Sequence, residues 1–377
     1  MIKISEWQLY CILCLSVIPV AILEQPNRLI DIAQNNAWLV CLPALLTGIL
    51  LIKIYDLIIK RSREPFPVLL NEHFGAIAGR ALGFIYILYF LLTCAFNLRI
   101  FLEFMKMMVL PFTPVSIFIG AILLTGLMAI KAGLTGLARF SEYLFVWAIL
   151  IIGLIIIIPL AGNFHLERIR PIGYISYKNL GLGVWVATII LGKMLPVLSL
   201  AYFLPKRKNV GTVMFFTVIT YVVLMSFAAF AIIVVLGTYP ASNYVFPTFN
   251  MIRLAQIGTF LQNMDIVFVG ILIQGISGTL LVSWWMACFT TQKVFGLKDY
   301  RFVAAPTSLI IGVLSLIISR SNLEVVIWSL YIMPLVFAIF SIVIPFFTFL
   351  ICLFKPDVHA PDATGSGESL HKGEVAG

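Results

Sequence analysis

Charge is what this chain has least of. Asp, Glu, Lys and Arg together make 11% of 377 residues, while 62% are hydrophobic, roughly half the charge of an ordinary soluble domain. That shortage excludes a water-surrounded fold, in which no core could absorb so much apolar surface. A bilayer can, because each span of about 20 apolar residues satisfies its own backbone as helix and turns its side chains to lipid. Histidine is as scarce: His73, His165, His359 and His371 fall in loops or the tail and are too scattered for a metal site. The six cysteines, Cys11, Cys14, Cys41, Cys94, Cys288 and Cys352, all lie in apolar stretches. Cys11 and Cys14 have CxxC spacing, yet no second pair or neighbouring His follows, so they read as structural thiols. No Gly-rich loop opens a helix to cradle phosphate, and there is no nucleophile elbow. Nothing here argues for an enzyme, and no cofactor is expected.

What fills the chain is hydrophobic runs. Ten are legible, near Trp7–Leu23, Trp38–Ile59, Ala81–Val109, Val115–Ile130, Tyr143–Leu160, Leu182–Leu204, Val213–Leu236, Ile266–Thr290, Phe302–Ile318 and Val325–Phe354. Residues 1–354 therefore read as one transmembrane, permease-like domain of an all-α polytopic protein. Lys and Arg in the short loops set its orientation. With the N-terminus in the cytoplasm, sixteen of the 25 basic residues face inward, among them Lys60, Arg61, Lys206, Arg207 and Lys208, and seven face outward. Both termini are expected inside, which agrees with an even number of spans. The net charge of +9 follows from this bias and implies no nucleic-acid partner. The first span begins within a few residues of Met1 without a small-residue cleavage site, so it is expected to be retained. After Phe354 the composition turns polar, and residues 355–377 read as a disordered cytoplasmic tail.

Polar residues inside spans are costly, which makes them the first candidates for function. Tyr89, Thr93 and Asn97 recur at i, i+4 and i+8 of the third span and give one face a polar stripe suited to line a cavity. Arg99 and Glu103, four apart on a neighbouring face, can pair with each other. Thr279 and Ser283 form a second i, i+4 pair in the eighth span, where a hydroxyl can also return to its own backbone. Breakers stand at matching places in two five-span halves. Pro19, in Ser16-Val17-Ile18-Pro19-Val20-Ala21, interrupts the first span, and Gly192-Lys193-Met194-Leu195-Pro196 interrupts the sixth. Paired breaks of this kind point to the substrate site of an inverted-repeat transporter fold. Both segments are expected to be unwound and to face each other at mid-membrane depth.

With these landmarks in place, the chain from about Ile4 to Phe354 resembles the B subunit of the spore germinant receptors, in the amino-acid/polyamine/organocation permease superfamily. The resemblance is carried by Asn36-Ala37-Trp38, Arg99-x-x-x-Glu103 and Leu110-Pro111-Phe112-Thr113-Pro114. Gly133-Leu134-x-x-Leu137-Ala138-Arg139, Asp265 and Phe295-Gly296-Leu297-Lys298-Asp299-Tyr300-Arg301 complete it. It implies a five-plus-five, LeuT-like permease fold with broken helices one and six. It also implies a membrane subunit that binds a small nutrient, often an amino acid, and acts with an A subunit and a lipoprotein C subunit in the spore inner membrane. Relatives commonly place Gly-x-Gly where this chain has Pro19-Val20-Ala21 and Gly-x-Glu where it has Gly192-Lys193-Met194, and the resemblance allows an acid in some relatives where Asn97 stands.

The expected pocket comprises Pro19 and Ala21, Tyr89, Thr93 and Asn97, Leu191, Gly192, Lys193 and Met194, and Thr279 and Ser283. Unwound backbone and helix ends would supply donors for a carboxylate and acceptors for an ammonium. Lys193 needs a partner at that depth: a ligand carboxylate, Glu24, or carbonyls freed at the break. A germinant-sensing subunit, an autonomous amino-acid permease, and a channel or scaffold passing water or ions all share this fold.

Overall fold

The computed structural model describes residues 3–61, 64–205, 207–254, 264–319 and 321–354. The expected tail, residues 355–377, and the side chain of Asp265 lie outside the described residues.

Among the described residues, ten membrane-length helical stretches follow one another. They are α1 (Glu6–Ala33), α2 (Ala44–Arg61), α3 (Ala76–Phe104), α4 (Val115–Ala132), α5 (Leu134–Gly162), α6 (Tyr177–Phe203), α7 (Val210–Leu236), α8 (Met264–Phe295), α9 (Arg301–Ile317) and α10 (Glu324–Leu353). Eight are long and apolar enough to cross a bilayer on composition alone, among the described residues. The others are α9, with 17 residues, and α2, which carries Lys53, Asp56, Lys60 and Arg61. Each of the ten runs legible in the sequence has its helix. Ser5 opens α1 through a capping box, its hydroxyl accepting from the Gln8 N–H while the Gln8 side chain accepts from the Ser5 N–H, which satisfies two donors at the helix start.

The helices sort by burial. The cores of α1 and α6 are mostly enclosed by protein, whereas α4 and α5 expose most of their length, as with Leu124, Met128, Trp147 and Leu150. Exposed apolar residues of this kind are what lipid contact requires. Helix α1 packs against α5, α6, α7 and α8, and α3 packs along α8. The crossing of α1 and α8 is close because α8 supplies glycines: a Cβ at Gly275 would stand 2.9 Å from Pro19, and one at Gly278 would stand 2.4 Å from Leu15. Small residues let backbones approach where lipid gives no hydrophobic drive between helices.

Prolines decide where the helices depart from regularity, and neighbours take up what they free. A proline inside a helix leaves the carbonyl four residues earlier without its N–H partner. Pro19 frees the Leu15 carbonyl, which accepts from the Thr279 hydroxyl of α8 at 2.7 Å. Pro26 frees the Ile22 carbonyl, which accepts from the Thr248 hydroxyl at 2.9 Å; Thr248 lies in the short helix Pro247–Arg253 between α7 and α8. Pro345 follows Ser341 by four residues, and the Ser341 carbonyl accepts from the buried Tyr55 hydroxyl of α2 at 2.7 Å. An unpaired carbonyl in hydrocarbon would cost several kcal/mol, so these hydroxyls let α1 continue through both of its prolines.

This corrects one expectation. The segment around Pro19 is not unwound: α1 is helical from Glu6 to Ala33, because Thr279 supplies the missing bond. In α6 the α-helix is interrupted, though the backbone tightens into hydrogen-bonded 3-10 turns and does not unwind. Regular helix stops at Leu191, Gly192–Met194 form a 3-10 turn, Leu195 and Pro196 are turn residues, and helix resumes only for Val197–Leu200. The two sites do face each other, since the Ser16 hydroxyl of α1 donates to the Lys193 carbonyl at 2.8 Å. A further irregularity lies in α10, which winds as π-helix at Trp328–Ile332 and Ile339–Val343.

Candidate ligand site

The 3-10 turn in α6 faces two helices with polar residues. From α3, Asn97 is fully buried and its Oδ1 accepts from the Lys193 ammonium at 3.2 Å. From α10, the Phe337 ring lies 5.5 Å from the Lys193 nitrogen, within reach of a cation–π contact. The π-turn of α10 brings Ser341 against Gly192, where a Cβ would stand 2.7 Å from the serine side chain. The Ser341 hydroxyl is 3.3 Å from that of Tyr89, and the Tyr89 ring stacks on Phe340. Tyr86 donates to the Phe340 carbonyl at 2.9 Å. The stripe of α3, the turn of α6 and the π-turn of α10 thus form one buried polar nest.

The nest is incompletely satisfied. An ammonium has three donors, and that of Lys193, at 5% exposure, makes a single hydrogen bond among the described residues. The Thr93 hydroxyl and the Asn97 Nδ2 are buried without partners there. In a low-dielectric interior each such group is costly, so their gathering at one place calls for an explanation. Neither of the two protein partners expected for Lys193, Glu24 and the carbonyls at the break, hydrogen-bonds its ammonium among the described residues. The Asn97 amide oxygen takes that bond instead.

The remaining expected site residues divide in two. Leu191 and Met194 are fully buried at the turn. Pro19, Thr279 and Ser283 belong to the α1–α8 seam. The Thr279 proton is given to Leu15, with the Gly275 carbonyl at 3.2 Å, and Ser283 donates to the Thr279 carbonyl at 3.2 Å. Ala21, also fully buried, lies on α1 beyond Pro19. Seam and nest join through Ser16 and Lys193; of the described cavities one touches Pro19 in the seam, and none is lined by Tyr89, Thr93, Asn97 or Lys193.

Sequence reading missed Ser16, Phe337 and Ser341. Ser341 stands four residues before a proline in an apolar run, a spacing that signals a carbonyl needing a donor. It also passed over Gln25, which holds the helices around the nest. Gln25 is buried in α1, donates to the Val186 carbonyl of α6 at 3.1 Å and accepts from Tyr221 of α7 at 2.7 Å. Tyr221 also lies 3.0 Å from the Ala187 carbonyl.

Motifs away from the nest serve the frame. Asn36 clamps the α5–α6 connection, donating to the carbonyls of Pro171 and Tyr174 and accepting from the Gly173 N–H. Gly133, at φ +88°, opens α5 where a Cβ would stand 3.2 Å from Arg301 and 3.3 Å from Tyr300. Two of the motifs quoted above therefore meet at one end of the bundle. Arg99 and Glu103 form their expected ion pair, both largely buried.

Known proteins share this architecture and this sequence pattern. Over 91% of this chain and 79% of the other, the fold matches Mhp1, a nucleobase-cation-symport-1 family transporter solved closed with bromovinylhydantoin bound, at a TM-score of 0.66 and 12% identity. The five-plus-five LeuT-like permease fold is thereby established. Two proteins of Bacillus subtilis (strain 168) align along nearly the whole length. Putative spore germination protein YfkT is 23% identical over 362 residues, covering 94% of this chain and 97% of its own. Spore germination protein KB is 24% identical over 361 residues, covering 94% and 95%. Residues 3–325 match the family described as spore germination protein, and the chain is a member of that spore germination permease family.

Proposed function

We propose that this chain is the nutrient-sensing membrane subunit of a spore germinant receptor. It would recognise a small nutrient, an amino acid in this reading, in the nest around Lys193, and binding would trigger germination. The observation that carries the reading is the cluster of unmet polar groups inside a family permease fold: the Lys193 ammonium with one hydrogen bond, the Thr93 hydroxyl and the Asn97 amide N–H2. A ligand carboxylate satisfies all three donors at once, and the π-turn of α10 and the broken α6 offer backbone that can adjust around it. In this reading Lys193 reads the carboxylate, Thr93 and Asn97 orient it, and Tyr89 with Leu191 shapes the apolar side. The basic-residue bias supports cytoplasmic termini, and the subunit would work in the spore inner membrane beside an A subunit and a lipoprotein C subunit.

A second reading, an autonomous amino-acid permease working by alternating access, is favoured by the likeness to a symporter fold. One experiment separates them. Spores with and without the gene are scored for germination on a panel of single nutrients, and vesicles holding the isolated chain are scored for uptake of the same labelled compounds. Loss of response to a defined nutrient without uptake supports the receptor. Saturable uptake with unchanged germination supports the permease and removes the receptor reading.

A further inference from the structure

The nest is closed. None of the described cavities is lined by Tyr89, Thr93, Asn97, Lys193, Phe337 or Ser341, so a ligand reaches it only if a wall moves. The three walls differ in how their backbones are held. Helix α3 is continuous past the polar stripe. The α6 turn closes on its own hydrogen bonds, as from the Leu195 N–H to the Gly192 carbonyl at 3.0 Å. Helix α10 is held by side chains of its neighbours.

The two π-turns of α10 share a cause. Trp328–Ile332 runs into Met333-Pro334, and Ile339–Val343 runs into Ile344-Pro345. A proline lacks an N–H, and its ring crowds the carbonyl four residues back, so the helix widens by one residue before each. The Ile344 N–H accordingly bonds the Ile339 carbonyl and not that of Phe340. Phe340 loses its partner to the π-turn, and Ser341 loses its own to Pro345. These are the two carbonyls that buried tyrosines take. Tyr86 of α3 donates to Phe340 at 2.9 Å, and Tyr55 of α2 donates to Ser341 at 2.7 Å.

The two bonds are not equivalent. In a regular α-helix the Ile344 N–H would return to the Phe340 carbonyl, whereas Pro345 would still leave Ser341 without a donor. Tyr55 therefore serves either winding, and Tyr86 serves only the π-turn. The segment between the turns, Met333–Ala338, carries Phe337 onto Lys193. Loss of the extra residue would rotate that segment by about 100°, one residue's step at 3.6 per turn, and take the ring off the ammonium. The first π-turn, tied to α1 by the Ser329 bond to Glu24 at 2.9 Å, is a second joint that takes up the rotation. Single π-turns inside α-helices recur at functional sites.

We infer that Met333–Ala338 is a hinged wall over the nest, and that Tyr86 is the positioning residue that latches it closed by favouring the π-turn. The hinge stands on α10 alone; its service as a gate for a nutrient rests on the nest being the nutrient site.

The test is the rate at which methyl methanethiosulfonate, a small neutral reagent, modifies the thiol introduced by Thr93→Cys. It is read residue by residue by mass spectrometry on the full chain in nanodiscs. Tyr86→Phe should speed modification about fivefold, the equilibrium weight of one such hydrogen bond. Pro345→Ala, which removes the cause of the π-turn, should speed it as well and serves if Tyr86→Phe does not fold. With Pro345→Ala present, Tyr86→Phe should add little. Thr248→Val removes another hydroxyl from a proline-freed carbonyl, away from α10, and should leave the rate unchanged. Unchanged rates in both Tyr86→Phe and Pro345→Ala, or an equal rise in Thr248→Val, would overturn the hinge. The nutrient dose–response of Tyr86→Phe spores is read separately. Faster modification with an unaltered dose–response keeps the hinge and removes the nest as the nutrient site.

Discussion

Two threonines, Thr279 on α8 and Thr93 on α3, are alike in type and burial, and they do opposite work. Thr279 gives its proton to the carbonyl that Pro19 frees, and around it Gly275, Gly278 and Ser283 complete a seam whose polar groups are met. The Thr93 hydroxyl, next to Tyr89, makes no hydrogen bond among the described residues, and one turn along α3 Asn97 bonds the Lys193 ammonium through its oxygen while its Nδ2 has no partner. A polar residue in a membrane helix is therefore informative only together with its partners. Where the protein supplies them, the residue is part of the frame. Where it does not, a ligand or water has a reason to be there.

The largest expected effect breaks the seam. Gly278→Leu puts a side chain where even a Cβ stands 2.4 Å from Leu15, so α1 and α8 must separate. Overpacking of this kind costs about 3 kcal/mol, and membrane fractions should show severalfold less protein. Normal levels with an unchanged unfolding midpoint would mean that the seam is loosely packed.

Lys193→Met comes next, and its two readouts should diverge. Removing an ammonium held by one hydrogen bond should leave thermal stability unchanged or raise it by about 1 kcal/mol. The response to carboxylate-bearing nutrients should fall at least tenfold, the weight of one charge-assisted hydrogen bond of about 1.5–3 kcal/mol, and more than that to neutral sugars. Equal loss for every nutrient, or loss of protein, would make Lys193 a structural tether and remove it from the site.

Much of this was legible in the sequence, and the failures share one cause. The ten runs, the paired breakers and the Arg99–Glu103 pair depend on local spacing, which sequence carries directly. That Thr279 serves Pro19, that Tyr55 serves the carbonyl freed by Pro345, and that Ser341 faces Gly192 are pairings across 264, 286 and 149 positions, and spacing along one helix says nothing of them. The same limit let Pro19 read as a break. Proline does remove a hydrogen bond, but whether the helix unwinds depends on a donor from another helix. At Gly192–Pro196 the adjacent glycine, lysine and proline do interrupt the α-helix, but the backbone tightens into 3-10 turns there instead of unwinding.

The smaller effects sharpen the contrast between the two threonines. Thr279→Val leaves the Leu15 carbonyl without its donor and should cost about 1 kcal/mol, the scale of hydrogen bonds between membrane helices. Thr93→Val removes no bond seen in the protein, and its stability should stay within about 0.5 kcal/mol of the parent. Chemical or thermal unfolding of the two variants side by side reads the difference, and equal destabilisation would show that Thr93 has a structural partner after all.

The most direct test is the nutrient concentration for half-maximal germination, measured in Thr93→Val and Thr279→Val spores at matched protein level. A shift of severalfold for Thr93→Val with none for Thr279→Val is the predicted result, because only the first removes a donor that the ligand would use. A shift for Thr279→Val with an unaltered response in Thr93→Val would place the ligand at the seam and contradict the account.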